Sequence, residues 1–331
     1  MEKIIAHLEK SGRLLVASHV KPDGDALGSL IAAGLCLETM NKQVTFFNES
    51  PIPAVYRFLP GVDRITAILE PDNLCGYDTA LILDCSDLDR VGEQASSYIS
   101  QIPVVINVDH HITNTEFGDL QYIDIRACAA SQIVYHMIKK MGVSISQDIA
   151  TSIYTGIFTD TGSFRFSNTN KAAFEICEEM VELGVDPYNV ARHVYGPYSL
   201  ARIKLLNLAL DTIEISANGK LSMMTLTRDM LNETGTRQED VDGLINYARR
   251  IEDVKVAVLI QEAICWRSGR QQESKKKKHN YHVSLRSDGS VDVASIAAVY
   301  GGGGHLTAAG FNFDSSITDL KDGMLTLANK I

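Results

Sequence analysis

The sequence predicts an α/β protein: an N-terminal doubly wound, mostly parallel sheet, then a smaller C-terminal α/β domain, with a cleft between them. Three observations carry this. Apolar, β-branched runs alternate with helical patterns through residue 186. The runs Leu14–Ala17, Ala80–Leu83 and Val104–Val108 lack in–out alternation, as strands buried on both faces do. Each of these runs is followed by acidic or imidazole side chains, the arrangement that lets functional groups converge beyond the carboxyl ends of parallel strands.

Residues 13–20 read as the first strand. Ala26–Met40, rich in Ala, Leu and Gly, reads as a helix opening beneath an Asp-Gly-Asp turn. Strands are expected at 43–48, 78–84 and 103–109, and helices over 128–141, 147–158 and 171–184. The pattern changes at Gly184-Val185-Asp186-Pro187. The expected division is therefore a domain at 1–186, a helical connector at 187–212 and a second domain at 213–331. In the latter, strands are expected at Thr212–Ser216, Leu221–Leu226, Val254–Gln261 and Tyr281–Arg286, with helices near 239–250 and 292–299. Asn218-Gly219 marks a hairpin turn. The run Lys275–Lys278 reads as part of a solvated loop, with an electrostatic guide for RNA as the sharper alternative.

Across 331 residues, 41 acidic against 31 basic side chains give a net charge of −10. That balance argues against a general polyanion binder, and so against duplex DNA as a partner. No apolar stretch approaches the ~18 residues of a membrane span. With no signal-peptide pattern either, a cytoplasmic protein without a membrane partner is expected. The six cysteines stand singly and read as buried structural thiols. A Gly-x-Gly-x-x-Gly fingerprint and a Walker loop are both missing, which disfavours hydride transfer and nucleoside triphosphate hydrolysis.

The chemistry lies in four segments. In the first, Pro22 and Gly24 impose a turn that can bring His19, Asp23 and Asp25 together. Taken alone, Asp25 is also a natural N-cap for the helix that follows. Asp84 ends a strand expected to be central; a charged carboxylate is costly there unless paired or metal-bound, and bridging two ions is the simplest solution. Asp87 and Asp89 read as surface turn and helix-start residues. His110 and His111 cannot point the same way while the strand continues, so one can bind metal and the other face substrate, with Asp109 orienting its neighbours. Asp160, after the 147–158 helix, can complete a second ion's shell. Carboxylates with imidazoles suit Mn²⁺ or Mg²⁺. Two such ions roughly 3.5–4 Å apart activate water and stabilise both attacking and leaving oxygens at phosphorus. In the second domain, Gly301–Gly304 can expose backbone amides to an anion, with His305 beside them as a donor. Arg286 offers a planar fork for phosphate.

His19-x-x-x-Asp23-x-Asp25, Asp84, Asp109-His110-His111 and Asp160 together resemble the four motifs of the DHH phosphoesterase family. The Gly302-Gly303-Gly304-His305 segment and Arg286 resemble the associated DHHA1 domain. Length and layout are most similar to the bacterial subgroup acting on very short RNA and on 3′-phosphoadenosine 5′-phosphate (pAp). The resemblance implies two divalent ions, Mn²⁺ first, with Mg²⁺ or Co²⁺ as substitutes. His19, Asp23 and Asp84 would hold one, and Asp25, Asp84, His110 and Asp160 the other. It further implies His111 near the scissile phosphate, and a C-terminal domain gripping the substrate's far end through Arg286, Gly302, Gly303, Gly304 and His305. The expected activity is hydrolysis of short RNA oligomers and pAp to mononucleotides. A phosphodiesterase for linear or cyclic dinucleotides is the alternative enzyme, and an inactive nucleotide-binding regulator the alternative outside enzymes. An inorganic pyrophosphatase is disfavoured on the expectation that those enzymes resemble this chain only in its first domain. A homodimer is allowed.

Overall fold

The computed structural model describes residues 1–69, 76–196, 198–262, 281–329 and 331. The Lys275–Lys278 run, Cys75 and Cys265 lie outside the described residues. Two compact units form, Met1–Pro197 and Tyr198–Ile331.

In the first unit, β1 (Arg13–Ala17), β2 (Gln43–Phe47), β3 (Thr79–Leu83), β4 (Val104–Asp109) and β5 (Leu120–Ile123) build one sheet in the order β2-β1-β3-β4-β5. Every pairing is parallel. Its strands alternate between two cores, which is why their sequences read as unbroken apolar runs. Leu14, Val16, Leu81, Leu83, Ile106 and Val108 enter one core, with side chains of α1 (Glu2–Leu8), α2 (Gly24–Thr39) and three later helices. Leu15, Ala17, Ala80, Ile82 and Val105 enter the other, with Ala95 and Ile99 of α3 (Glu93–Ile99). The later helices are α4 (Ala130–Lys140), α5 (Gln147–Asp160) and α6 (Lys171–Glu182). The small residues of α2 serve a close approach to α5: a Cβ on Gly28 would stand 2.4 Å from the Ser152 carbonyl oxygen.

Residues 187–212, expected as a helical connector, hold two helices, one in each unit. Helix α7 (Pro187–Tyr195) belongs to the first and α8 (Leu200–Leu210) to the second. Pro187 at the first turn of α7 and the Ser199 cap of α8 start separate helices rather than one span.

The second unit holds a mixed six-stranded sheet. Its strands are β6 (Glu214–Ile215), β7 (Leu221–Leu226), β8 (Val256–Glu262), β9 (Tyr281–Ser287), β10 (Gly303–His305) and β11 (Ala308–Phe313), in the order β10-β11-β9-β8-β7-β6. Short α9 (Arg228–Thr234), α10 (Ile245–Arg249) and α11 (Val293–Val299) precede the C-terminal α12 (Ile317–Ala328). Val258, Ile260, Val283, Leu285 and Phe311 form the core beneath α11 and α12.

Here one expectation needs correction. The amides of Gly301 and Gly302 are not free to cradle an anion. Gly301 and Gly302 close α11, their N–H groups donating to Ala298 O and Ala297 O at 3.0 and 2.9 Å. Gly303–His305 is then an edge strand of a tight hairpin with Ala308–Gly310. A Cβ on Gly302 would meet Gly310 O at 2.2 Å, and one on Gly304 would meet Ala308 O at 2.4 Å. Close strand approach therefore accounts for these two glycines.

Candidate metal centre and its relatives

In a sheet of order 2-1-3-4-5 the chain reverses its direction of growth between β1 and β3, and the crevice at that point is where such folds bind ligands. His19 follows β1, Asp84 follows β3, Asp109 ends β4 and Asp160 ends α5. The four segments separated in sequence thus meet in one place.

Asp84 is the hub. It is 2% exposed, and its φ of 52° lies in the left-handed region, where a non-glycine side chain is strained. Its N–H is held by Val108 O at 3.1 Å, so the strained turn is fixed by the neighbouring strand. Asp84 Oδ2 stands 3.6 Å from His19 Nε2, and Asp84 Oδ1 stands 3.5 Å from His110 Nε2. Oδ1 itself is buried without a hydrogen-bond partner.

The imidazoles are aimed by their other nitrogen. His19 Nδ1 bonds Val20 O at 2.9 Å, and His110 Nδ1 bonds Ala127 O at 3.3 Å. Carbonyls only accept, so each Nδ1 carries the proton and each Nε2 is left as a ligand. His110 Nε2 also lies 3.9 Å from Asp25 Oδ2 and 3.7 Å from Asp160 Oδ2. His19 Nε2 lies 4.0 Å from Asp23 Oδ1.

Asp25 is not the N-cap of α2; Asp23 is, accepting from the N–H groups of Asp25 and Ala26 at 3.0 Å each. Asp25 accepts instead from Ala130 N and Ser131 N, at 2.5 and 2.9 Å, across the start of α4. A side chain on Gly156 would collide with it, a Cβ lying 2.7 Å from Asp25 Oδ1.

The expected divergence of His110 and His111 fails for a simple reason: β4 stops at Asp109, so strand alternation no longer applies. Both rings approach Asp84 Oδ1, His111 through Nδ1 at 3.7 Å. Their roles differ nonetheless. His111 Nδ1 is bonded to Asp109 Oδ1 at 2.7 Å. Asp109 is fully buried, and its Oδ2 accepts from Asn114 at 2.6 Å. His111 Nε2 is therefore the nitrogen left for another partner.

Sequence reasoning missed the asparagines that steady these groups. Asn48 donates to His19 O at 2.8 Å, Asn114 to Asp109, and Asn168 to Asp160 Oδ2 at 3.2 Å. Asn114 and Asn168 stand a few residues beyond His111 and Asp160, the one sequence hint of this, while Asn48 has none. Asp87 is, as expected, a turn residue that accepts from Asp89 N.

The electrostatics describe a site with too much negative charge. Burial, then the Asp84 charge, pushes Asp25 up to about 7; burial, then Asp25, pushes Asp160 up to about 8. Burial disfavours charged imidazoles, yet Asp84 raises His19 to about 9 and His110 to about 10. Burial opposes ionisation of Asp84 too, but His110 and His19 hold its carboxyl well below the carboxylate range. Ligand atoms of His19, Asp23 and Asp84 lie within 4.8 Å of one another, as do those of Asp25, His110 and Asp160. Four carboxylates and two imidazole Nε2 atoms around an orphaned, buried Oδ1 fit a pair of divalent cations in donor type and in charge, the cations taking the place of the protons those groups otherwise hold.

Arg286 and the glycine hairpin lie in the second unit. Arg286 sits near the end of β9, half-buried, donating to Leu285 O at 2.9 Å. Burial, then the positive charge of Arg249, lowers its pKa.

A parallel α/β unit with carboxylates and imidazoles gathered at its switch point defines a hydrolase of phosphoesters. The chain belongs to the DHH phosphoesterases: residues 13–157 match the DHH family, N-terminal domain, and residues 220–331 match the DHHA1 domain. The bifunctional oligoribonuclease and PAP phosphatase NrnA of Thermus thermophilus is 32% identical, over 93% of this chain and 87% of that protein. The protein of that name from Bacillus subtilis is 26% identical, over 90% of this chain and 88% of the relative. The crystal structure of an exopolyphosphatase-related protein from Bacteroides fragilis superposes with a TM-score of 0.88 at 26% identity, covering 100% of this chain and 96% of that one.

The ground for setting pyrophosphatases aside does not hold. A probable manganese-dependent inorganic pyrophosphatase of Streptococcus agalactiae is 26% identical over 249 residues, 71% of this chain. That is longer than the whole 1–186 segment, so the second domain alone does not separate the two groups. Among the described residues, no helix is long and apolar enough to cross a membrane.

Proposed function

We propose that this phosphoesterase uses two divalent cations, Mn²⁺ first, to hydrolyse very short oligoribonucleotides and pAp, releasing mononucleotides in the cytoplasm. The observation that carries the reading is the double exposure of Asp84, one oxygen toward His19 and the other toward His110. On this reading His19, Asp23 and Asp84 hold one ion, and Asp25, Asp84, His110 and Asp160 the other. The ions would supply Lewis acidity, activating water and neutralising charge on the entering and leaving oxygens.

The protein's own groups do the rest. Asp109 fixes the His111 ring so that Nε2 can hand a proton to the leaving oxygen. We assign Arg286, whose planar fork matches phosphate oxygens, the substrate's second anionic group. His305 and the backbone of Gly303 and Gly304 belong to the same proposed contact. The substrate range draws its support from the relatives named for oligoribonuclease and PAP phosphatase activity.

The test is turnover with Mn²⁺ of pAp, a diribonucleotide, a cyclic dinucleotide, pyrophosphate and a long single strand. Preference for pAp and the diribonucleotide is expected. Preference for the cyclic dinucleotide would replace the reading by the dinucleotide phosphodiesterase, and preference for pyrophosphate would place the chain with the pyrophosphatases.

A further inference from the structure

We propose that Arg90 is a substrate-binding residue of the first unit, donating through its guanidinium to non-bridging oxygens of the phosphoryl group under attack. The inference rests on the phosphoester hydrolysis proposed above and adds a contact to it.

Arg90 sits in the turn Leu88–Val91, six residues beyond Asp84. Two bonds tie it to the ligand-bearing loops. Its carbonyl accepts from Val20 N at 2.7 Å, inside the His19–Asp23 loop, and its Nη1 donates to Ser86 Oγ at 3.2 Å, just past Asp84. It thus bridges the loops after β1 and β3, whose carboxyl ends flank the switch point.

What Arg90 lacks is an anion. It is half-buried, yet it forms no ion pair among the described residues, whereas Arg64 pairs with Glu38 and Arg126 with Asp124. Of the acidic neighbours in the turn, neither Asp87 nor Asp89 pairs with it, and Asp87 accepts from Asp89 N. A partly desolvated guanidinium with most of its five donors unengaged is unfavourable unless a ligand completes it. A phosphoryl group delivered to the neighbouring carboxylate centre brings oxygens in the geometry that a planar fork matches. Arg90 stays charged throughout and exchanges no proton; its contribution is to neutralise charge that builds on those oxygens.

The experiment compares wild type, Arg90→Ala and Arg90→Lys with pAp as substrate at saturating Mn²⁺. It also measures bound Mn²⁺, the thermal midpoint and binding of inorganic phosphate. We expect kcat/KM to fall by roughly the 10²–10³-fold seen when one charge-stabilising donor is removed. Phosphate binding should weaken, with Mn²⁺ content and midpoint unchanged. The Lys variant should recover little, and millimolar guanidinium should partly restore the Ala variant. Wild-type kcat/KM in Arg90→Ala would overturn the inference. So would lost activity accompanied by lost Mn²⁺ and no guanidinium rescue, because Arg90 would then only brace the two loops. A wild type inactive on pAp and on short RNA would remove the activity reading itself, an outcome separate from an active wild type with an indifferent Arg90.

Discussion

Asp84 turns one carboxylate oxygen to His19 Nε2 at 3.6 Å and the other to His110 Nε2 at 3.5 Å, from a backbone held at φ 52°. One strained residue therefore joins both halves of the proposed metal centre. Asp84→Ala and Asp84→Gly should each reduce turnover to background and lower Mn²⁺ occupancy at both sites, while Asp87→Ala changes little. The two Asp84 variants should differ in stability. Glycine adopts the left-handed region without the penalty of about 1–2 kcal/mol that a Cβ incurs, so the Gly variant should unfold at the higher denaturant concentration. Near-normal activity in either variant would refute the bridging role.

The two histidines of the Asp109-His110-His111 segment should separate by metal content. His110→Ala removes a nitrogen aimed at Asp25, Asp84 and Asp160, and should release Mn²⁺. His111→Ala removes a ring held by Asp109, and should retain Mn²⁺ while the catalytic rate falls by roughly 10²–10⁴-fold. Metal analysis beside single-turnover kinetics decides between the roles; equal metal loss in both variants would contradict the division.

Much of this site was legible because its ligands sit at strand ends, where a buried apolar run stops abruptly at Asp84 or Asp109. The parallel sheet was legible for the same reason, since Leu14–Ala17 and Ala80–Leu83 face cores on both sides. Less legible was anything set by tertiary packing. Edge strand β5 (Leu120–Ile123) is half-exposed and gives only a faint apolar signal. The glycines at 301–304 could be read as an anion loop because backbone freedom and close strand packing leave the same mark in a sequence. The capping exchange between Asp23 and Asp25 depends on α4 arriving from more than 100 residues away, which local spacing does not encode.

Stability without metal should depend on pH in a defined direction. Asp25 and Asp160, with folded values of about 7 and 8, hold protons in the folded state that the unfolded chain has released. His19 and His110, at about 9 and 10, do the same from their ordinary value of 6.5 upward. All four groups stabilise the fold below their unfolded values and lose that contribution as pH rises through the folded ones. The thermal midpoint of EDTA-treated protein should therefore fall between about pH 5.5 and 8.5. Saturating Mn²⁺ should flatten or reverse that slope, because cations replace the protons. A midpoint of the metal-free protein that rises over the same interval would contradict the assignment of excess negative charge.

The last prediction concerns substrate length. If Arg286 takes a second anionic group, the substrate must satisfy two anion contacts at once, and a ligand with two phosphate-bearing ends is favoured over a long strand. Single-strand channels that track ~4–16 nucleotides do so with a positively charged groove. This chain carries a net charge of −10, which should repel the remainder of a longer strand, more so at low salt where screening is weaker. Arg286→Ala should raise KM for pAp and for diribonucleotides with a terminal phosphate by about tenfold or more, the order expected for losing one charge-assisted hydrogen bond. It should barely change turnover of a small aryl phosphodiester that has a single anionic group. A series from two to about twenty-four nucleotides, at two ionic strengths, checks this on wild type and variant against the tracking lengths above. Equal efficiency on the longest and shortest strands, or an Arg286 variant equally impaired on every substrate, would show that the second unit does not select for length.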